Sequence, residues 1–333
     1  MDSTALLDTQ PPPLSRPLHE RLLIRATGLF LLAATVLLGC RLLGTDAVTP
    51  VPQLLAFLPW LLVPAGAALL FAALLRWRAG VVWTLVLLAV TGWFLRPYET
   101  QAADARATGT GTRIDVLTSN VEFGQGTLGL IEVIRREKPD LVFVQECEFV
   151  CARLLDERIP AADYPYRHIV RASSAEGSSI LSTFPLTGTE RIKGVLAMPR
   201  SQARVDGRAI ELQLVHPLPP IPGMVQDWRD ELGRIRAYAA GRGDTPVIMA
   251  GDFNATRDHA AFRAVLDDGG LRDGALLGGA GRTPSWPSAV PRPLGAQIDH
   301  VLVSEDFAVR DARFLDLADT DHRALLVGLE LRG

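Results

Sequence analysis

Lysine is almost absent from this chain. Lys138 and Lys193 are the only two among 34 basic residues, and the rest are arginine. The bias reads as a compositional habit and carries no function. Cysteine is scarce as well: Cys40, Cys147 and Cys151 are all there is. Cys40 falls in a hydrophobic stretch. Cys147 and Cys151 stand close together at what reads as a helix start, a poor geometry for an unstrained disulfide. No Cys-x-x-Cys or Cys/His spacing suggests zinc. Three structural thiols with no disulfide framework are therefore expected. There is no internal repeat. Two of the three long apolar stretches lack any charge, which argues against transport.

Apolar residues make up 48% of the 333. The excess is concentrated in the first hundred positions, so the chain divides into a membrane part and a soluble part. Residues 1–21 are polar and proline-rich, with Pro11-Pro12-Pro13, and read as disordered. Apolar stretches follow at Leu22–Leu43, Leu54–Leu75 and Ala79–Leu95. A membrane helix needs about 20 residues, so residues 22–96 are expected to form three transmembrane helices. Arg25 and Arg41 near the ends of the first would snorkel to the interface. Pro59 and Pro64 would bend the second. A signal peptide is the competing reading, but no small-residue cleavage site follows the first stretch. Arg16, Arg21 and Arg25 precede the first helix, and Arg76 and Arg78 sit between the second and third. By arginine placement the N-terminus is cytoplasmic, and three crossings put the C-terminal domain outside. Residues 97–112 are small and polar and read as a linker.

The domain from residue 113 onward is organised around Val247-Ile248-Met249-Ala250-Gly251-Asp252-Phe253-Asn254. Four apolar residues after a turn-like run read as a buried strand. Asp252 and Asn254 then sit two apart, and in extended chain such residues project to one side. A carboxylate and an amide held together suit the positioning of a water beside a phosphate. Further strands are expected at Ile114–Ser119, Asp140–Gln145, Tyr166–Val170, Ser178–Ser182, Ile210–Val215, Ile298–Val303, Phe307–Phe314 and Ala324–Leu331. Helices are expected at Leu128–Glu137, Gln226–Ala240 and near Ala260–Leu266. Many short strands with few helices suggest an α/β fold of sheets packed face to face with helices outside. Asn120, Glu146, His216, Asp252, Asn254, Asp299, Asp321 and His322 all fall at strand ends, where sites gather in layered folds. His300 should face away from Asp299's side of its strand. His168 and His259 have no companions and read as surface residues. Trp286 reads equally as a core aromatic or a substrate platform.

Asn120, Gln145-Glu146, His216-Pro217, Gly251-Asp252-Phe253-Asn254, Ile298-Asp299-His300 and Thr320-Asp321-His322, in this order, resemble the endonuclease/exonuclease/phosphatase superfamily. The resemblance covers residues 113–333 and implies a four-layer α/β sandwich that cleaves phosphoester or phosphoanhydride bonds with magnesium, or manganese in its place. Three membrane segments before such a domain look like the membrane-bound branch related to the VanJ teicoplanin-resistance protein. By position the resemblance implies that Glu146 binds the metal, with Asn120 and Asp321 helping. Asp252 would be the base, Asn254 would hold the water or phosphate, and His322 would serve the phosphoryl oxygens or leaving group. Asp299 would orient His322, and His216 would be a second phosphate contact.

From residue 113 the chain carries 26 basic and 31 acidic residues, a net of −5. A nuclease gripping many phosphates usually shows a basic face, so nucleic acid is the weaker partner. The tether favours the lipid bilayer and a lipid-linked phosphate, with undecaprenyl pyrophosphate the best single substrate. A tethered nuclease, a phospholipase C-like phosphodiesterase and a partner-binding protein without activity are the alternatives.

Overall fold

The structure is a computed structural model that describes residues 16–96 and 111–332. Most of the polar N-terminal stretch and of the linker lies outside the described residues. Helix α1 (Leu18–Leu43) begins before the predicted Leu22. The first strand, β1 (Thr112–Asn120), takes in the last linker position. The chain forms two compact units. One holds the residues up to Val36 with Leu61–Trp93, and the other holds Leu37–Trp60 with Phe94 onward.

The first unit is helical: the body of α1, then α3 (Leu62–Leu74) and α4 (Arg78–Leu95). Leu29, Leu32, Leu70, Leu74, Val82 and Val86 turn outward. Several of the unit's polar side chains bond within it. Thr84 and Thr91 donate to the carbonyls of Gly80 and Leu87 one turn back, and Trp83 Nε1 donates to Thr35 Oγ1 at 2.9 Å.

Of the three expected transmembrane helices, two have the length to cross a membrane and the third is shorter. Among the described residues, two helices are long and apolar enough to cross a membrane, α1 with 26 residues and α4 with 18. The expected second span is broken. It starts as a short helix, α2 (Val51–Ala56), breaks at Phe57, and continues through a 3-10 turn at Leu58–Leu61 directly into α3, so that Leu58–Leu74 is one apolar helix. Pro59 falls in the first turn of that helix, where its missing N–H has no intrahelical partner to lose. Leu55 and Leu58, in the part before α3, are buried within the second unit.

The second unit contains two six-stranded sheets. The first has the order β11 (Phe307–Leu315), β12 (Ala324–Leu331), β1, β2 (Leu141–Gln145), β4 (Ser178–Ser182), β3 (Tyr166–Val170). The second runs β5 (Leu186–Ile192), β6 (Met198–Val205), β7 (Arg208–Val215), β8 (Val247–Asp252), β10 (Asp299–Val303), β9 (Arg272–Asp273). Each expected strand is present, and β5, β6 and β9 are additional. The pairs β1–β2 and β7–β8 are parallel, and the other pairings are antiparallel.

Side chains explain the layering. In β8, Ile248 and Ala250 join Val116, Phe143, Leu212 and Val327 in the core between the sheets. The alternate residues Val247 and Met249 pack outward against Trp228 and Ile235 of α7 (Val225–Gly241) and Phe262 of α8 (Ala260–Gly269). A strand buried on both faces reads as a continuous apolar run, which is why this one was visible in the sequence. On the other side, Leu117, Val142 and Val144 pack against α5 (Thr127–Glu137) and α6 (Phe149–Arg158). The result is the α/β sandwich of helices, sheet, sheet and helices.

Cys147 and Cys151 are joined in a disulfide, against the expectation of free thiols. Cys147 precedes α6 and Cys151 lies in its first turn, so the Cα atoms approach to 5.1 Å, inside the range a disulfide needs. Cys40 is free.

Candidate active site

The paired strands deliver the motif residues to one edge of the sandwich. Asn120 and Gln145 are partners at the ends of β1 and β2, and Glu146 follows. Val215 of β7 is opposite Gly251 of β8, so His216 and Asp252 leave adjacent strands together. Asp299 opens β10 directly opposite Asp252. Gly251 makes this approach possible: a Cβ there would stand 1.9 Å from the Val215 carbonyl oxygen, and its φ of +154° disfavours other residues.

Asp252 and Asn254 do meet the same cavity, but not as neighbours on an extended strand. β8 ends at Asp252, and Asn254 adopts a left-handed φ of +48°. Its N–H donates to Asp252 Oδ1 at 2.7 Å, closing a side-chain turn. The Asn254 amide then donates to the Pro217 carbonyl at 3.0 Å, which ties it to the loop after His216. Glu146 is also left-handed, with φ of +58°. Two side-chain-bearing residues held in this region at one cluster mark stored backbone strain, of the kind that gathers at functional sites.

Asn120 is the hub. Its Nδ2 donates to Glu146 Oε1 at 3.0 Å and to Asp252 Oδ2 at 3.2 Å. Its Oδ1 accepts the Glu122 N–H at 3.0 Å. The remaining Glu146 oxygen accepts the Phe123 N–H at 2.9 Å. His322 Nδ1 lies 2.9 Å from Asp299 Oδ2, and its Nε2 faces Asp252 Oδ2 at 3.8 Å and Asp321 Oδ1 at 3.7 Å. The buried His216 has Nε2 3.7 Å from Glu146 Oε1 and 3.9 Å from Asp252 Oδ2. His216 Nδ1 and Asp299 Oδ1 are buried without hydrogen-bond partners.

Burial and neighbours sort the protons. Burial opposes charge on His322, but Asp299, by its charge and hydrogen bond, and Asp252 outweigh it and raise the pKa to about 10. Burial, then the Asp299 charge, raises Asp252 to about 7. Burial, with His322 beside it, lowers His216 to about 3. His322 is therefore the cation of the cluster. His216 is neutral, and its close approaches to Glu146 and Asp252 are not ion pairs.

The donor set fits a hard divalent cation bound sparingly. Among the described residues no three His, Cys, Asp or Glu side chains form a ready-made cage. Magnesium does not need one: it is held by one or two carboxylates and keeps water and phosphate oxygens as its other ligands. Glu146, positioned by Asn120 and the Phe123 N–H and facing the cavity, is such a carboxylate. Asn120 uses its amide nitrogen to orient carboxylates. Asp321 gives one oxygen to Trp286 Nε1 at 2.7 Å, while its N–H donates to Glu122 Oε2.

Asn120, Glu146, His216, Asp252, Asn254, Asp321 and His322 all open into one cavity of about 550 Å³. Much of its remaining lining is apolar, including Phe57, Phe123, Leu218, Ile221, Met224 and Trp286. The motifs pointed to Trp286 as one of two readings; Phe57 and Met224 left no signal, because apolar residues read as core or membrane.

Three histidines lie elsewhere. His300 is buried on the far side of β10, between Asp273 and the Ala255 carbonyl, as the strand alternation required. His168 is half-buried and bonds Ser201 Oγ at 2.8 Å. His259 is not a surface residue. Its ring is fully buried; Nδ1 accepts the Thr256 N–H and Nε2 donates to the Pro52 carbonyl at 2.8 Å.

A two-sheet sandwich with carboxylates, amides and a charged histidine at one edge defines a phosphoester-hydrolase type of centre. The sequence pattern of the Endonuclease/Exonuclease/phosphatase family matches residues 117–322, and the chain belongs to that family. It is thereby a metal-dependent phosphoester hydrolase. No curated protein matches it. Among solved structures, TDP2 of D. rerio complexed with single strand DNA product is 16% identical, with a TM-score of 0.54, over 66% of this chain and 99% of that one. The mannosyl-6-phosphatase of Bacteroides thetaiotaomicron VPI-5482 is 17% identical, with a TM-score of 0.51, over 65% and 99%. A family protein from Leptotrichia buccalis C-1013-b is 15% identical, with a TM-score of 0.53, over 66% and 100%. At such identities the likeness is one of fold.

Proposed function

We propose that the chain is a membrane-anchored, magnesium-dependent phosphohydrolase whose substrate is a lipid-linked phosphate, undecaprenyl pyrophosphate being the best single candidate. The observation that carries this reading is the cavity. Phosphate chemistry gathers on part of its lining, and apolar side chains supply much of the rest. A substrate with a charged head on an apolar chain matches both.

In this mechanism Glu146 holds the metal, which when bound neutralises phosphate charge. Asp252 accepts the proton of the attacking water, whose position Asn254 shares. His322, kept charged by Asp299, donates to the phosphoryl oxygens or the leaving oxygen. Neutral His216 offers one further N–H to phosphate. In-line attack on phosphorus asks chiefly for positioning and charge neutralisation, and these residues supply both.

On this reading the catalytic unit lies on the outer side of the membrane. The Cys147–Cys151 disulfide supports this, since such bonds persist in oxidising compartments. Arginines at the N-terminus and at Arg76 and Arg78 favour the inner side for those segments, an arrangement in which the shorter apolar helix Leu58–Leu74 crosses as well as α1 and α4. Two helices long and apolar enough to span support the anchor.

The test is phosphate release by the full-length protein in detergent from undecaprenyl pyrophosphate, with magnesium or EDTA, beside supercoiled plasmid. Magnesium-dependent release without nicking is expected. Nicking without release sinks the reading and favours a nuclease.

A further inference from the structure

The stretch between α1 and α3 belongs to the catalytic unit, not to the helical one. It is fixed there by several independent contacts. The Pro52 carbonyl accepts from His259 Nε2, and burial keeps that ring neutral, so the bond has a single donor. Gln53 Nε2 donates to the Pro220 carbonyl. Asp46 accepts the Ala261 N–H at 2.9 Å. Arg41 is buried, pairs with Asp258 at 3.1 Å and lies over the Phe94 ring at 4.8 Å. It does not snorkel.

These contacts place α2 against the two loops that carry site residues. His259 lies shortly after Asn254, and Pro220 shortly after His216. Gln53, Ala56 and Phe57 thereby line the same cavity as Asp252 and His322. Phe57 and Trp286 have ring centroids 6.2 Å apart, and Trp286 in turn bonds Asp321. An aromatic pair therefore links this wall to the polar cluster.

We propose that α2 and Phe57 are the specificity wall of the active site. The apolar chain next to the substrate phosphate is seated against Phe57 and Trp286, with Ile221 and Met224 completing its seat. The proposal rests on the lipid-phosphate reading and deepens it. The site selects by the first apolar units of the chain, and the selecting residues come from a segment continuous with α1, a helix able to cross a membrane. That continuity supplies the occupant: a chain whose far end lies in a bilayer.

The experiment uses full-length protein and soluble prenyl pyrophosphates that lengthen by one isoprene unit at a time. Wild-type KM should fall with each unit until the cavity is filled. Phe57→Ala should raise KM for the longer members about tenfold, consistent with the loss of a buried aromatic contact, and flatten the dependence on length. Phe57→Leu should restore most of it. Ile221→Ala, on a different loop, should flatten it too, which guards against misfolding of the first variant. A wild-type KM independent of chain length, with hydrolysis intact, overturns the specificity wall alone. So does an unchanged length dependence in both Ala variants. A wild-type protein that hydrolyses no member overturns the lipid-phosphate reading and this inference with it.

Discussion

Asp299 Oδ2 stands 2.9 Å from His322 Nδ1, and Asp299 is also the cross-strand partner of Asp252. One buried carboxylate thus sets the charge of the histidine while disfavouring charge on the acid beside it. Asp299→Asn should keep the fold and lower kcat on the order of 100-fold, the scale of a general acid or base that has lost its orientation. Steady-state kinetics beside a thermal melt checks this. Equal activity in the variant would leave Asp299 a structural residue.

Asp252→Asn separates activity from stability. As the proposed base it should lose activity by about 1,000-fold. As a buried carboxyl whose ionised form the fold disfavours, it should not lose stability. The expected result is an inactive protein with an equal or higher melting temperature. Retained turnover removes Asp252 from the role of base.

Glu146→Gln keeps the shape and removes the negative charge. The magnesium concentration for half-maximal activity should rise by roughly 10- to 100-fold, and EDTA should silence both proteins. Titration of activity with magnesium reads this directly. An unchanged half-saturation assigns the metal elsewhere.

Asp258 is buried between Arg41 and Arg282, at 3.1 and 2.7 Å. Burial opposes its charge, but Arg282 and then Arg41 overcome this and hold its pKa below the ordinary 3.8. A depressed folded pKa contributes stability that is full above the unfolded value and lost as pH falls through the folded one. Asp258→Asn should therefore cost about 3 kcal/mol near neutrality, since it leaves buried arginine charge uncompensated. The cost should shrink as the pH is taken below about 4. Denaturation in detergent across pH measures it.

Much of the sandwich was legible in one dimension because its signals are local. Val247–Ala250 is apolar on both faces, and that can be read without knowing what it packs against. The site was legible as an ordered set of polar residues at strand ends. The i to i+2 argument for Asp252 and Asn254 reached the right cavity by the wrong geometry, since the chain turns after Asp252. The broken second span was not legible. Leu55 and Leu58 are buried in the catalytic unit, and hydropathy does not distinguish a protein interior from a bilayer, both being apolar.

The sequence by itself determined nine of the twelve strands, most of the helices that cover them and the roster of acids, amides and histidines, whose ordered motifs carry the family resemblance. The strands and helices follow from periodicity over a few neighbouring residues. Tertiary structure alone decided which residues share a proton and which share a wall. Asn120 reaches Asp252, Arg41 reaches Asp258, and Pro52 reaches His259 across very long stretches of chain. Such pairs form only once two sheets have set their register. The disulfide is local by contrast, with partners four residues apart, and the turn of chain into α6 brings Cys147 and Cys151 within bonding reach.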